Sequence, residues 1–108
     1  MTTQYSFIYI TISSRLEARR IGRTLVKKRL CACVNILDKM ESHYWWKGKV
    51  ETGREAVLIA KTRETLVKRV IREVKALHSY DCPCIVALPI HEGNLDFLDW
   101  IGAETRKA

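Results

Sequence analysis

The chain predicts an α+β fold with the element order β-α-β-β-α-β and a short closing helix, and three observations carry that reading. Four runs rich in β-branched and aromatic residues, at 5–13, 31–43, 54–61 and 84–90, alternate with two stretches whose apolar residues recur at helical spacing. Capping and turn residues stand at the joints between them: Ser14, Lys47-Gly48, Thr62 and Asn94. The length of 108 residues, with 47% hydrophobic and 29% charged residues, suits one packed core, so residues 1–108 are read as a single domain.

Each element has its own justification. From Tyr5 to Ser13, Phe7, Tyr9 and Thr11 alternate with Ile8, Ile10 and Ile12, the period of a strand. Ser14-Arg15-Leu16-Glu17 matches a capping box, in which Ser14 accepts from an orphan N–H and Glu17 reaches back to the backbone of Ser14. The helix it opens is expected to turn Leu16, Ile21, Leu25, Val26 and Leu30 toward a core. Cys31 to His43 reads as a long strand, with Ala32, Val34 and Ile36 on one face and Cys31, Cys33 and Asn35 on the other. Lys47-Gly48, between Trp45-Trp46 and Lys49-Val50, marks a hairpin tip where Gly48 can take a positive φ. The return strand spans Arg54 to Lys61, and Thr62 is placed as the cap of a helix carrying Leu66, Val67, Val70, Ile71, Val74 and Leu77. Cys84 to Ile90 forms the last strand. Asn94 then caps a terminal helix with Leu95, Leu98 and Ile101, and with Phe97 and Trp100 beside them. This order is the split βαβ plan of ferredoxin-like domains.

Two helices cover only one face of a four-stranded sheet, yet both residue sets of these strands are apolar. Phe7 and Tyr9 stand against Ile8 and Ile10, and Val86 and Leu88 against Ile85 and Ala87. An apolar face of that extent marks an interface, so a homo-oligomer is expected. The net charge of +7 invites a polyanion partner, but its cations are residues left over from the two helical stripes, Arg15 to Arg29 and Lys68 to Lys75. Solvated helix faces account for them, and nucleic-acid binding is not expected. No run approaches the roughly 20 apolar residues of a membrane span, and Met1-Thr2-Thr3-Gln4 lacks the plan of a secretory signal. A cytoplasmic protein without a membrane partner is expected, in which the four cysteines remain reduced.

Five segments resemble, in order, the CutA family of divalent-cation tolerance proteins. Lys28-Arg29-Leu30-Cys31-Ala32-Cys33-Val34-Asn35 is similar to that family's second strand. Ser42-His43-Tyr44-Trp45-Trp46-Lys47-Gly48-Lys49-Val50 with Glu55 is similar to its hairpin. Lys61-Thr62, His78-Ser79-Tyr80-Asp81-Cys82-Pro83 and Gly93 to Ile101 resemble its remaining motifs. The resemblance implies a ferredoxin-like subunit in a tight homotrimer of PII-like architecture, with ligand clefts between subunits. It also implies a role in copper or other divalent-cation tolerance. Cys33 and His78 match the positions that would ligate metal, and Asn35, Trp46, Glu55, Lys61, Tyr80 and Asp81 match positions around the cleft. Ser79, where the family has proline, is expected to loosen the turn after His78, and Asp81 is one methylene shorter than the usual glutamate. Cys31, Cys82 and Cys84 inherit no role.

Thiolate and imidazole together suit copper or zinc, but two ligands do not complete a tetrahedral site. The pairs Cys31-Ala32-Cys33 and Cys82-Pro83-Cys84 lack zinc-knuckle spacing and fall on strands at opposite edges of the expected sheet. A four-cysteine site within one subunit is therefore not expected, one shared across an interface stays open, and packing is the default for Cys31, Cys82 and Cys84. His43 and His91 are read as surface residues, and at least one of Trp45 and Trp46 as an interface anchor. Two functions stay open: metal binding through Cys33 and His78 across a subunit interface, or a PII-like sensor whose cleft takes a small anionic or zwitterionic ligand. No phosphate-cradling glycine loop, Ser-His-Asp order or H-E-x-x-H is present, so an enzyme is not expected, and no organic cofactor is implied.

Overall fold

The computed structural model describes residues 4–107. Its elements are β1 (Tyr5–Ile12), α1 (Arg15–Lys27), β2 (Cys33–Trp46), β3 (Lys49–Arg63), a single 3₁₀ turn at Glu64–Leu66, α2 (Val67–Leu77), β4 (Ile85–Pro89) and α3 (Leu95–Glu104). The strands pair antiparallel in the order β2-β3-β1-β4, which is the ferredoxin-like arrangement with β2 and β4 on opposite edges.

Strand alternation builds the core. Ile8, Ile10 and Ile12 of β1 and Ala56, Leu58 and Ala60 of β3 point to the helix side and are fully buried. They meet Ala18, Ile21 and Leu25 of α1 and Val70 and Val74 of α2 in one cluster. The contacting stripe of α1 differs from the expected one, because Leu16 is 74% exposed and Val26 is also exposed. Small residues carry the contact instead. A Cβ on Gly22 would lie 3.0 Å from Val34 Cγ2 and 3.1 Å from Leu58 Cδ1, so the missing side chain lets α1 sit close on β2 and β3. Gly22→Val is therefore expected to destabilise the fold by about 2 kcal/mol through overpacking, read as a lower urea midpoint at unchanged slope.

Two other expectations shift. Strand β2 opens at Cys33 rather than Cys31, because Arg29 takes a left-handed turn (φ 57°) that buries Leu30 and Cys31 under the sheet. Thr62 caps no helix. It lies inside β3, where its hydroxyl donates to the Leu30 carbonyl at 2.5 Å, and α2 starts from the 3₁₀ turn without a side-chain cap. The Ser14 and Asn94 caps do form, accepting from the Glu17 and Asp96 N–H groups at 3.1 Å each.

The hairpin is longer than its apolar pattern suggests. Lys47 and Gly48 both hold positive φ, 51° and 81°, the two-residue turn that matches strand twist. Pairing then runs without a break from Trp46↔Lys49 to Met40↔Glu55, and a bulge follows between Leu37 and Met40 with Lys39 at φ 62°. The arms beyond the bulge are mostly exposed on both faces. The open face of the sheet carries the side chains registered with Phe7, Tyr9 and Thr11: Cys33, Asn35 and Leu37 on β2, Val57, Ile59 and Lys61 on β3, and Val86 and Leu88 on β4. Leu37, Val86 and Leu88 are about half exposed or more, so the apolar open face read from the sequence is present.

Candidate functional site

The segment after α2 is fixed from three sides. His78 closes the helix by donating its backbone N–H to the Val74 carbonyl, and its side chain is fully buried. Its Nε2–H donates to the Thr11 carbonyl at 2.7 Å, which leaves Nδ1 to accept the Tyr80 N–H at 3.1 Å. Both ring nitrogens are thereby used. Glu17 does not complete the capping box. Its carboxylate turns instead to accept the Ser79 N–H at 2.7 Å, the Ser79 hydroxyl at 2.8 Å and the Ser13 hydroxyl at 2.5 Å. Three strong donors there outweigh one backbone N–H at Ser14. Burial raises the Glu17 carboxyl, but the hydrogen bonds from Ser13 and Ser79 overcome it and hold the group below its ordinary value. Ser79 thus ties the turn to α1 through an N–H that proline would lack.

The ordered loop presents Tyr80 to β3, where its hydroxyl donates to Glu55 Oε2 at 2.8 Å. Burial, then the bond to Glu55 and its charge, push the phenol well above its ordinary range, so it stays a donor. Around this pair lies a cleft of about 590 Å³. The hairpin supplies Ser42, Tyr44, Trp46 and Glu55; the loop supplies Ser79, Tyr80, Asp81, Cys82 and Cys84; Thr11 of β1 closes it. In a chain of net charge +7, the charged residues on this wall are Glu55 and Asp81, with no lysine, arginine or histidine among those that line it. Its potential favours a cation.

Of the residues expected at a cleft, Trp46, Glu55, Tyr80 and Asp81 gather here. Asn35 and Lys61 do not line this subunit's cleft. Lys61 lies six residues beyond Glu55 on β3, about 20 Å along the strand, where its ammonium donates to Asn35 Oδ1 and lies 3.7 Å from Cys33 Sγ. Cys33 and His78 are likewise apart: the His78 ring bonds the Thr11 carbonyl, and four residue steps along the sheet with two strands across put the Cys33 backbone about 16 Å from Thr11. Among the described residues, no three His, Cys, Asp or Glu side chains converge as a metal-holding group. Cys31 is 1% exposed, and burial, then the neighbouring Cys33, push its thiol up to about 12, which suits packing. Cys82 and Cys84 were expected to be packed but are exposed on the cleft. His43 is an exposed hairpin residue bonded to Thr52 and Glu41.

Fold and cleft together define an α+β, ferredoxin-like protein with an acidic, ligand-sized recess at the foot of a projecting hairpin. Residues 6–104 match the family model described as CutA1 divalent ion tolerance protein, and the chain belongs to that family. It is 50% identical over 97 residues to the divalent-cation tolerance protein CutA of Archaeoglobus fulgidus, covering 90% of this chain and 94% of that one. It is 44% identical over 101 residues to the chloroplastic CutA 1 of Oryza sativa, covering 94% of this chain but only 57% of the rice protein's length. The crystal structure of Oryza sativa CutA1 superposes with a TM-score of 0.95 at 42% identity, over 99% of this chain and 98% of that one. No helix among the described residues is long and apolar enough to cross a membrane.

Proposed function

We propose that the protein serves divalent-cation tolerance as a homotrimer, with the cleft at Glu55 and Asp81 as the place where the cation is held. The observation that carries this reading is the charge of the cleft wall, acidic with free thiols beside it in an otherwise basic chain. Carboxylates, one or two at a time with retained water, are a common way to hold a divalent ion without a full protein cage. A further ligand from a neighbouring subunit fits the same cleft, and the half-exposed apolar side chains of the open sheet face supply a reason for subunits to associate. Copper is the first cation to try, because the relatives are divalent-cation tolerance proteins and soft donors stand at the rim. Free thiols agree with a reducing compartment such as the cytoplasm.

Direct chelation by Cys33 and His78 requires a second subunit to bring a ligand to Cys33, and costs His78 one of its two buried hydrogen bonds. The two sites separate in one experiment, equilibrium dialysis of the intact oligomer against Cu²⁺, Zn²⁺ and Mn²⁺ with metal counted per subunit. Glu55→Gln combined with Asp81→Asn is expected to weaken binding at least tenfold, with Cys33→Ser near wild type. Binding lost in Cys33→Ser and retained in the cleft variant would overturn the assignment.

A PII-like sensor remains a second reading, favoured by the cleft volume, which lies in the range of small-molecule sites. Within one subunit Lys61 stands about 20 Å from Glu55 along β3, so an anionic ligand of this cleft would need a cation from a neighbouring subunit.

A further inference from the structure

Two thiols on the cleft wall entered the divalent-cation reading above only as soft donors at its rim, not as its ligands. Cys82 and Cys84 are both free, both exposed and both line the same recess. One residue separates them, so their Cα atoms lie no more than about 7 Å apart and their sulfurs can meet on one small ion. The intervening residue is Pro83, whose ring fixes its own φ and disfavours the helical conformation at Cys82. The Thr11 N–H donates to the Cys84 carbonyl at 3.2 Å and extends the β1–β4 pairing to that residue. On the other side, Glu17 and His78 hold Ser79 and Tyr80. The two sulfurs are thus carried by backbone tied down at both ends, and little ordering remains to be done on binding.

We propose that Cys82 and Cys84 form a two-thiolate site for a soft monovalent ion of the Cu(I) class. The donor count selects the ion. Zinc and other tetrahedral ions want four N or S ligands, and the described residues bring no third His, Cys, Asp or Glu into a common metal-holding group. A closed-shell soft ion such as Cu(I) is satisfied by two thiolates, and thiolate donors select it over harder ions. Binding replaces two S–H bonds with two S–Cu bonds and releases two protons to solvent, with no change of oxidation state when the metal arrives as Cu(I). The site shares the cleft with the divalent-cation reading but none of its ligands, so either can fail without the other.

The test titrates the fully reduced protein, without oxygen, into the coloured bis-bicinchoninate complex of Cu(I) and follows loss of chelate colour together with growth of the ultraviolet sulfur-to-copper absorption. Wild type is expected to remove one Cu(I) per subunit. Cys82→Ser and Cys84→Ser, both at exposed positions, should each weaken removal at least 100-fold, while Cys33→Ser and the Glu55→Gln, Asp81→Asn double variant keep one equivalent. In parallel, Cu(I) should protect Cys82 and Cys84 from iodoacetamide in peptide mass spectrometry and leave the labelling of Cys33 as it is without metal. Undiminished removal by the two serine variants, loss of removal in Cys33→Ser, or protection that falls on Cys33 would each overturn the assignment.

Discussion

Glu17→Ala should lower stability by about 3 kcal/mol and loosen the wall of the cleft in the same stroke. The carboxylate is 8% exposed and receives three donors, the Ser13 hydroxyl and both the N–H and the hydroxyl of Ser79. Removing it takes the partner from all three donors at once; each such loss costs about 1–3 kcal/mol in a dry site, and water recovers part of it because Ser13 and Ser79 are exposed. Urea unfolding measures the first effect, and faster amide exchange at Ser79 and Tyr80 than at core positions measures the second. The pH dependence has a fixed sign. The native carboxyl titrates below its ordinary value of 4.5, so its contribution is complete above that pH and is lost as pH falls through the native value. The gap between wild type and Glu17→Gln should therefore shrink on acidification below 4.5. A gap constant with pH would mean that the charge contributes nothing.

The second large effect concerns association. Leu88 is 49% exposed on β4, on the same face as Phe7 and Val86, where nothing within the subunit covers it. Leu88→Asp should leave the isolated subunit about as stable as before, because the site faces water there. If the open face is the trimer interface, the buried, unpaired carboxylate costs about 3 kcal/mol and weakens assembly about 100-fold. Sedimentation velocity should show a trimer for wild type and a dissociating variant that still unfolds cooperatively. A variant that stays trimeric would place the interface on another surface.

Much of this was legible in the chain. Alternation at Ile8, Ile10 and Ile12 and the stripe Val67, Val70, Val74 were strong because each buries large apolar groups against one core. Lys47-Gly48 was legible because the turn needs two residues at positive φ. Features built on the absence of bulk were not. Gly22 and Ala18 mark the close face of α1, but a search for large apolar residues passes over them and selects Leu16, which points to water. The outer arms of the hairpin carry no buried face, so periodicity stopped short of residues that backbone pairing alone keeps in register.

The site was legible in part for a different reason. Trp46, Glu55, Tyr80 and Asp81 line one recess within the subunit, since the hairpin foot and the post-α2 loop meet at the end of β1. Asn35 and Lys61 were expected at a cleft between subunits; within one subunit, about 20 Å of strand separates Lys61 from Glu55. The bond from Ser79 to Glu17 spans 62 residues and left no local signal, because both residues had plausible local roles. Cys82 and Cys84 are ordinary strand-entry residues until the cleft wall is seen to include them.

The claim that the acidic cleft holds the cation is tested most directly by locating the metal. Crystals of the oligomer grown with Cu²⁺ or Mn²⁺, measured at the absorption edge of the metal, should give an anomalous peak in each subunit's cleft within coordination distance of Glu55 or Asp81. Peaks confined to Cys33, to His43 or to lattice contacts, with the cleft empty at saturating metal, would contradict it.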